Sequence, residues 1–189
     1  MNTPAHLIFG MTAFGRVGRP AVTAAAFAGA LIPDLSLYLM AGTHLFILAT
    51  PPEVVFGELY YSNAWQSIFR IDNSIILWSI GLGLAAMLRA PVFIALCAAA
   101  LLHLGLDFLF HHDDGRAHFW PLSNWIFESP VSYWDPNHYG RIVGAIEVAA
   151  SLLCCAYLWR TFAHWFMRSL TVILGAMEFA PFVIWAIMF

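Results

Sequence analysis

The sequence predicts an all-α, polytopic integral membrane protein with about five transmembrane helices and a short N-terminal half-helix. Three observations lead there. Hydrophobic residues make up 61% of the 189-residue chain and charged residues only 10%, against roughly 45–50% and about 25% in soluble domains. The mean hydropathy is +0.77. Apolar stretches near the length of a bilayer crossing, about 20 residues, recur along the chain. So few charges cannot solvate a globular surface, and the same composition excludes a disordered chain and a disulfide-stapled secreted module. A formal net charge of −3 offers nucleic acid no basic face. The length fits one membrane-embedded domain over 1–189.

Each element follows from its residues. Segment 4–15 is apolar but too short to cross the hydrocarbon and reads as a half-inserted helix. A first full helix is expected over 20–41, with Pro33–Asp34 inside it. Segment 43–72 mixes Pro51, Pro52, Glu53 and Glu58 with Tyr60, Tyr61 and Trp65, which suits an interfacial stretch with aromatic anchors. Helices then follow over 73–88, 91–111, 139–159 and 167–189. Asn73 and Ser74 are suitable caps for the first of these, and the tight Arg89-Ala90-Pro91 link folds it back as a hairpin on the next. The one long polar segment, 112–137, is rich in Trp, Phe and Pro and is expected to be an ordered interfacial loop. Cys97, Cys154 and Cys155 lie in apolar runs and read as small buried hydrophobes. No positive charge precedes the first apolar stretch, so no cleavable signal peptide is expected.

Alternation of the helices places Arg16, Arg19, Arg89, Arg160 and Arg168 on one side. Glu53, Glu58, Asp72, Asp113, Asp114, Glu128 and Asp135 fall on the other, with Arg70, Arg116 and Arg141. The positive-inside rule makes the arginine-only side cytoplasmic and turns the acidic loop outward.

Ionisable side chains inside a bilayer are costly, which makes each a functional candidate. These are His6, Asp34, His103, Asp107, Glu147 and Glu178, with His111 and His112 at a helix end. A rise of 1.5 Å per residue puts Asp34, His103 and Asp107 about 18–24 Å from the cytoplasmic ends of their helices, and Glu147 about 12 Å below the outer end of its own. Residues from separate segments thus share a depth and could share a cavity.

The strongest local pattern is His103-Leu-Gly-Leu-Asp107. Positions i and i+4 lie on one helix face, so imidazole and carboxylate can grip one cation. His111 continues the stripe, and His112, Asp113, Asp114 and His118 follow closely. Mixed nitrogen and carboxylate donors suit zinc, manganese or iron, whereas magnesium and calcium prefer all-oxygen shells. The same spacing also fits a buried hydrogen-bonded His103–Asp107 pair at a polar helix end. His6 reads as a ligand or a satisfied core histidine, Asp34 as a ligand or a cap after Pro33, and Glu147 as a ligand or a partner of Arg141. His138 borders the loop as a further candidate. Glu178 is expected to meet a polar group on a neighbouring helix.

Three segments carry a resemblance: His6-Leu-Ile-Phe-Gly, Ile32-Pro33-Asp34, and His103-Leu-Gly-Leu-Asp107 with Gly115 and Trp120-Pro121. Over roughly residues 1–125 the chain resembles the YdjM-like family of inner-membrane proteins described as metal-dependent hydrolases. Two departures stand out. Where the family continues Pro-Asp-x-Asp-His, this chain has Pro33-Asp34-Leu35-Ser36-Leu37; where the family carries His-Arg-Gly-x-Thr-His-Ser, it reads Phe69-Arg-Ile-Asp-Asn-Ser74. Replacement ligands would come from His111, His112, Asp113 and His118.

These readings converge on a metal-dependent hydrolase of an ester or phosphoester in an amphiphilic substrate. His6, Asp34, His103 and Asp107 would hold a divalent metal, zinc before manganese or iron, completed by His111, His112 or His118. Asp113 or Asp114 would act as general base, and Arg116, with Arg141 in reserve, would clamp an anion. The rival expectation is a non-catalytic structural or assembly subunit of a larger membrane complex, with the lipid bilayer and partner subunits as its contacts. Haem would require two axial histidines facing each other at matched depth, and only His6 is a counterpart for His103.

Overall fold

The computed structural model describes residues 1–188, with side-chain surroundings for residues 1–180. The helix expected over 167–189 is thus described except for its last residue, with the surroundings of 181–188 left aside. The chain is all helical, at 73% helix with no strand among the described residues. The longer helices are α1 (Thr3–Phe14), α2 (Pro20–Gly42), α4 (Asn63–Asp72), α5 (Ile75–Met87), α6 (Pro91–Phe110), α7 (Gly140–Thr161) and α8 (Trp165–Met188). A short α3 (Pro52–Val54) lies between two π-helical turns, Thr43–Ile47 and Val55–Leu59.

Four stretches among the described residues are long and apolar enough to cross a membrane: Pro20–Ile47, Asn63–Met87, Pro91–Phe110 and Gly140–Thr161. Only 22–39% of each apolar window is buried inside the protein, and residues such as Met87, Phe93, Ile146 and Leu153 point outward. Apolar side chains facing outward along whole helices are what a lipid solvent requires. The protein is a polytopic membrane protein.

One boundary differs from the sequence expectation. Segment 43–72 is not wholly interfacial, because α4 runs into α5 with a single break at Asn73-Ser74, forming one 25-residue apolar stretch. Trp65 and Phe69 are the buried side chains of α4 and pack with Ala41 and Val55. Ser74 restarts the helix by accepting from the Leu77 N–H at 3.0 Å. Asn73 plays another part: its side-chain amide donates to the Pro33 carbonyl of α2 at 3.1 Å. Ser74→Ala is expected to cost about 1 kcal/mol, read as a lower melting temperature in detergent.

The core is built on small residues. Ala25, Ala26, Ala30, Ala95 and Ala99 pack with Leu7, Ile8, Met11 and Leu158. α1 lies among α2, α6, α7 and α8, and α2 packs along α6. Without a hydrophobic drive between helices in lipid, close backbone approach supplies the dispersion contact. Gly29 marks the closest point, where a Cβ would lie 2.0 Å from the Leu96 carbonyl oxygen of α6.

The connectivity sorts the two ends. Arg16 and Arg19 lie between α1 and α2, Arg89 between α5 and α6, and Arg160 and Arg168 flank the α7–α8 turn. The start of α1, the end of α6 and the start of α7 meet at the opposite end. There the 112–137 segment is tied down by backbone bonds from Ile75 N to His118 O, Ser129 N to His111 O, and Tyr133 N to Phe110 O. Its one helical piece is the 3-10 turn Pro136–His138.

Candidate metal centre

α1, α2 and α6 each bring polar side chains to this end. On α6 the 3.6-residue period aligns His103, Asp107 and, just past the helix, His111. α1 supplies His6 and α2 supplies Asp34, one residue after Pro33. The Pro33 ring cannot donate to the helical ladder, and in that turn the Ala30 carbonyl accepts from His103 Nδ1 at 2.7 Å.

Asp107 is the hub. Its Oδ1 lies 2.9 Å from His6 Nε2, 3.1 Å from His111 Nε2 and 3.1 Å from the Met1 amine. Its Oδ2 lies 2.9 Å from His103 Nε2. Asp34 Oδ1 stands 3.7 Å from the same His103 nitrogen, while its Oδ2 accepts from the Thr3 hydroxyl, which also meets Tyr38 Oη. His6, His103 and Asp107 are all buried, and one donor atom from each lies within 4.8 Å of the others. The His6 and His103 rings stack at 3.6 Å, 12° from parallel, so they cannot face each other across a haem as axial ligands.

The chemistry of His103 tests whether a metal fits. A carbonyl only accepts, so Nδ1 carries a proton, which leaves Nε2 as the nitrogen that faces the site. Nε2 lies 2.9 Å from a carboxylate oxygen and makes no hydrogen bond. Nitrogen and carboxylate placed this way are bridged by a cation, either a proton on the ring or a metal ion held jointly with His6. A backbone carbonyl holding the far nitrogen is also the way metal-ligating histidines are oriented. The donor set fits a borderline metal.

His111 links the centre to the loop. Its Nδ1 is 2.9 Å from Asp114 Oδ1. Burial alone would lower the His111 pKa, but Asp107 and Asp114 more than offset this and leave it raised. Burial would likewise raise Asp114, and the His111 contact wins and lowers it. His118 turns its Nδ1 to the Asn73 carbonyl at 3.0 Å and is buried, which lowers its pKa and keeps it neutral.

A cavity of about 340 Å³ opens beside Asp107, lined by Asp34, His111, Asp114, Arg116 and His118 among others. Tyr38, Phe56 and Tyr61 are exposed on its wall. Arg116 lies over the Phe69 and Tyr60 rings, 4.1 and 4.7 Å from their centroids. Its buried Nη1 has no hydrogen-bond partner among the described residues.

The remaining sequence candidates lie elsewhere. Asp113 is exposed and does not line the cavity. His112 stacks on His138 at 3.6 Å and gives its Nδ1 to the Ser129 carbonyl, while His138 pairs with Asp135. Arg141 is exposed at the start of α7. Glu147 accepts from the Asn2 backbone N–H at 2.7 Å, not from Arg141. Sequence reading passes over Thr3 and Tyr38 and takes Asn73 only as a helix cap. Both of the first two carry a signal: Thr3 precedes His6 by three residues and Tyr38 follows Asp34 by four, the spacings that share a helix face.

No family profile matches the chain, and neither curated proteins nor solved structures show significant similarity to it.

Proposed function

We propose that the protein is a membrane-bound, metal-dependent hydrolase of an ester or phosphoester in an amphiphilic substrate. The observation that carries this reading is the buried convergence of His6, His103 and Asp107, beside a polar cavity lined by Arg116. His6, His103 and Asp107 would hold a divalent ion, with zinc the best match to the donors and manganese or iron next. Asp34 and His111 are the nearest further donors. Such an ion supplies Lewis acidity, polarising the scissile group and lowering the pKa of water.

The protein's own groups do the rest. Arg116, fixed against two aromatic rings, lines the cavity, where its guanidinium would clamp an anionic group. Asp114, on the cavity wall and held by His111, is the carboxylate placed to accept a proton; exposed Asp113 is not. The Ala30 carbonyl fixes the His103 tautomer and orientation. Tyr38, Phe56 and Tyr61 at the mouth suit a headgroup-level entrance for a lipid-like molecule. With the arginine-bordered end cytoplasmic, the cavity opens on the outer, periplasmic face of a bacterial inner membrane.

The test is hydrolysis of amphiphilic phosphodiesters and carboxyl esters by detergent-purified protein, loaded with zinc or stripped by chelator. Turnover that needs metal supports the reading, and metal-independent turnover or none on any ester opposes it. Arg116→Gln is expected to slow phosphodiester cleavage about a hundredfold or more while sparing uncharged esters.

A second reading, a non-catalytic subunit of a membrane complex, is favoured by Ser36, Leu37 and the 69–74 segment, which lack the aspartate and the histidines of the resembled family. It predicts partner subunits that stay bound through purification and no metal-dependent turnover.

A further inference from the structure

A second buried polar cluster lies outside the metal centre, between α7 and α8. These helices form an antiparallel hairpin in which the Cys155 thiol lies 3.7 Å from the Thr171 carbonyl oxygen, and a Cβ on Gly175 would lie 3.4 Å from Cys155 Sγ. One turn back along α7 corresponds to one turn forward along α8, which sets Ser151 level with Glu178. Glu147 sits one turn further along the same face of α7. Side chains on a helix lean toward its N-terminus, so Ser151 leans toward Glu147. Glu147, Ser151 and Glu178 are 2%, 0% and 1% exposed.

Asn2 joins the two carboxylates. Its backbone N–H donates to Glu147 Oε1 at 2.7 Å, and its side-chain amide reaches Glu178 Oε1 at 3.5 Å. Among the described residues the other oxygen of each carboxylate, Oε2, has no partner, and neither has Ser151 Oγ. Among the described residues no arginine or histidine pairs with either carboxylate. The charged groups that act on Glu147 are the Met1 amine, Asp107 and His111; Glu178 feels Glu147 and the Met1 amine. The α7 cations Arg141 and Arg160 are exposed at the two ends of that helix, and Arg168 lies at the far end of α8.

We propose that Glu147 and Glu178 bind a single proton between them, forming a buried acid pair that the metal centre does not use. Two bare carboxylates in a dry interior repel each other and leave three oxygens unsatisfied. One proton turns one Oε2 into a donor for the other, removes one of the two charges, and leaves Ser151 a carboxyl to bond. The ligand is a proton and not a metal ion: among the described residues no nitrogen or sulfur donor completes the cluster for zinc, and its three free oxygens fall well short of the six or more that calcium or magnesium takes.

Infrared difference spectra of the full-length protein in deuterated buffer at neutral pH test this. The wild type is expected to show the carbonyl stretch of a protonated carboxyl, unchanged by sodium or zinc. Glu147→Gln and Glu178→Gln keep the side-chain size and supply an amide donor to the partner. Each is therefore expected to lose the band, with metal content unaltered. A wild type without the band overturns the proposal, since the pair is then fully ionised or holds a metal cation. Survival of the band in either variant overturns the sharing. Loss of bound metal in either variant makes these carboxylates part of the metal site and also overturns it.

Discussion

Asp107→Ala is expected to strip bound metal from the protein and to destabilise it even when no metal is present. The carboxylate meets four nitrogens, from the Met1 amine, His6, His103 and His111, at 2.9–3.1 Å. Removing it leaves the buried Met1 amine without its counter-charge and takes a shared partner from His6, His103 and His111. Breaking a buried pair in this way costs about 3–5 kcal/mol, because the abandoned partner keeps its desolvation penalty. Thermal melting in detergent, with chelator in both samples, isolates that loss from the loss of metal. A variant that melts with the wild type would mean that Asp107 organises nothing.

Gly29→Ala is expected to abolish metal retention without touching a ligand. The new Cβ would lie 2.0 Å from the Leu96 carbonyl oxygen, a contact that no rotamer change relieves, so α2 and α6 must separate. The His103–Ala30 hydrogen bond and the approach of Asp34 to His103 both cross that interface. Overpacking of this kind costs about 1–3 kcal/mol, and the displaced ligand geometry adds the loss of metal. Gly105→Ala is the control, since its Cβ would meet nothing within 4 Å although it lies between His103 and Asp107 on α6. Equal metal in the wild type and Gly29→Ala would show that the α2–α6 contact does not position the centre.

Much of this was legible in the sequence because helices repeat every 3.6 residues and a membrane fixes their depth. The stripe His103, Asp107, His111 is a matter of period alone. The gathering of Asp34 onto it follows from counting residues from the cytoplasmic ends, whereas the sequence leaves His6 as either a ligand or a core histidine. Beyond the helix, counting fails. α6 ends at Phe110, and His111 takes up extended backbone as its cap, with φ −110° and ψ 127°. The chain therefore turns, sending His112 to stack on His138 and Asp113 to the surface, while Asp114 returns to His111. Periodicity cannot say which of two adjacent aspartates faces inward. The Glu147–Glu178 pair was equally hidden, because it depends on the rotation of α7 against α8 and on Asn2 reaching between them. The joining of α4 to α5 was missed because Gln66, Arg70 and Asp72 make α4 look interfacial, although Trp65 and Phe69 bury its other face.

The central claim is that His6, His103 and Asp107 bind a metal, and the most direct measurement is metal content by plasma mass spectrometry. Wild type and His103→Ala are purified in detergent, loaded with zinc, manganese or iron(II), and freed of excess. About one equivalent of a metal in the wild type, lost in His103→Ala while the variant still inserts and melts cooperatively, is the predicted result. A wild type that retains no metal after loading, or a His103→Ala protein that retains as much as the wild type, would contradict the account.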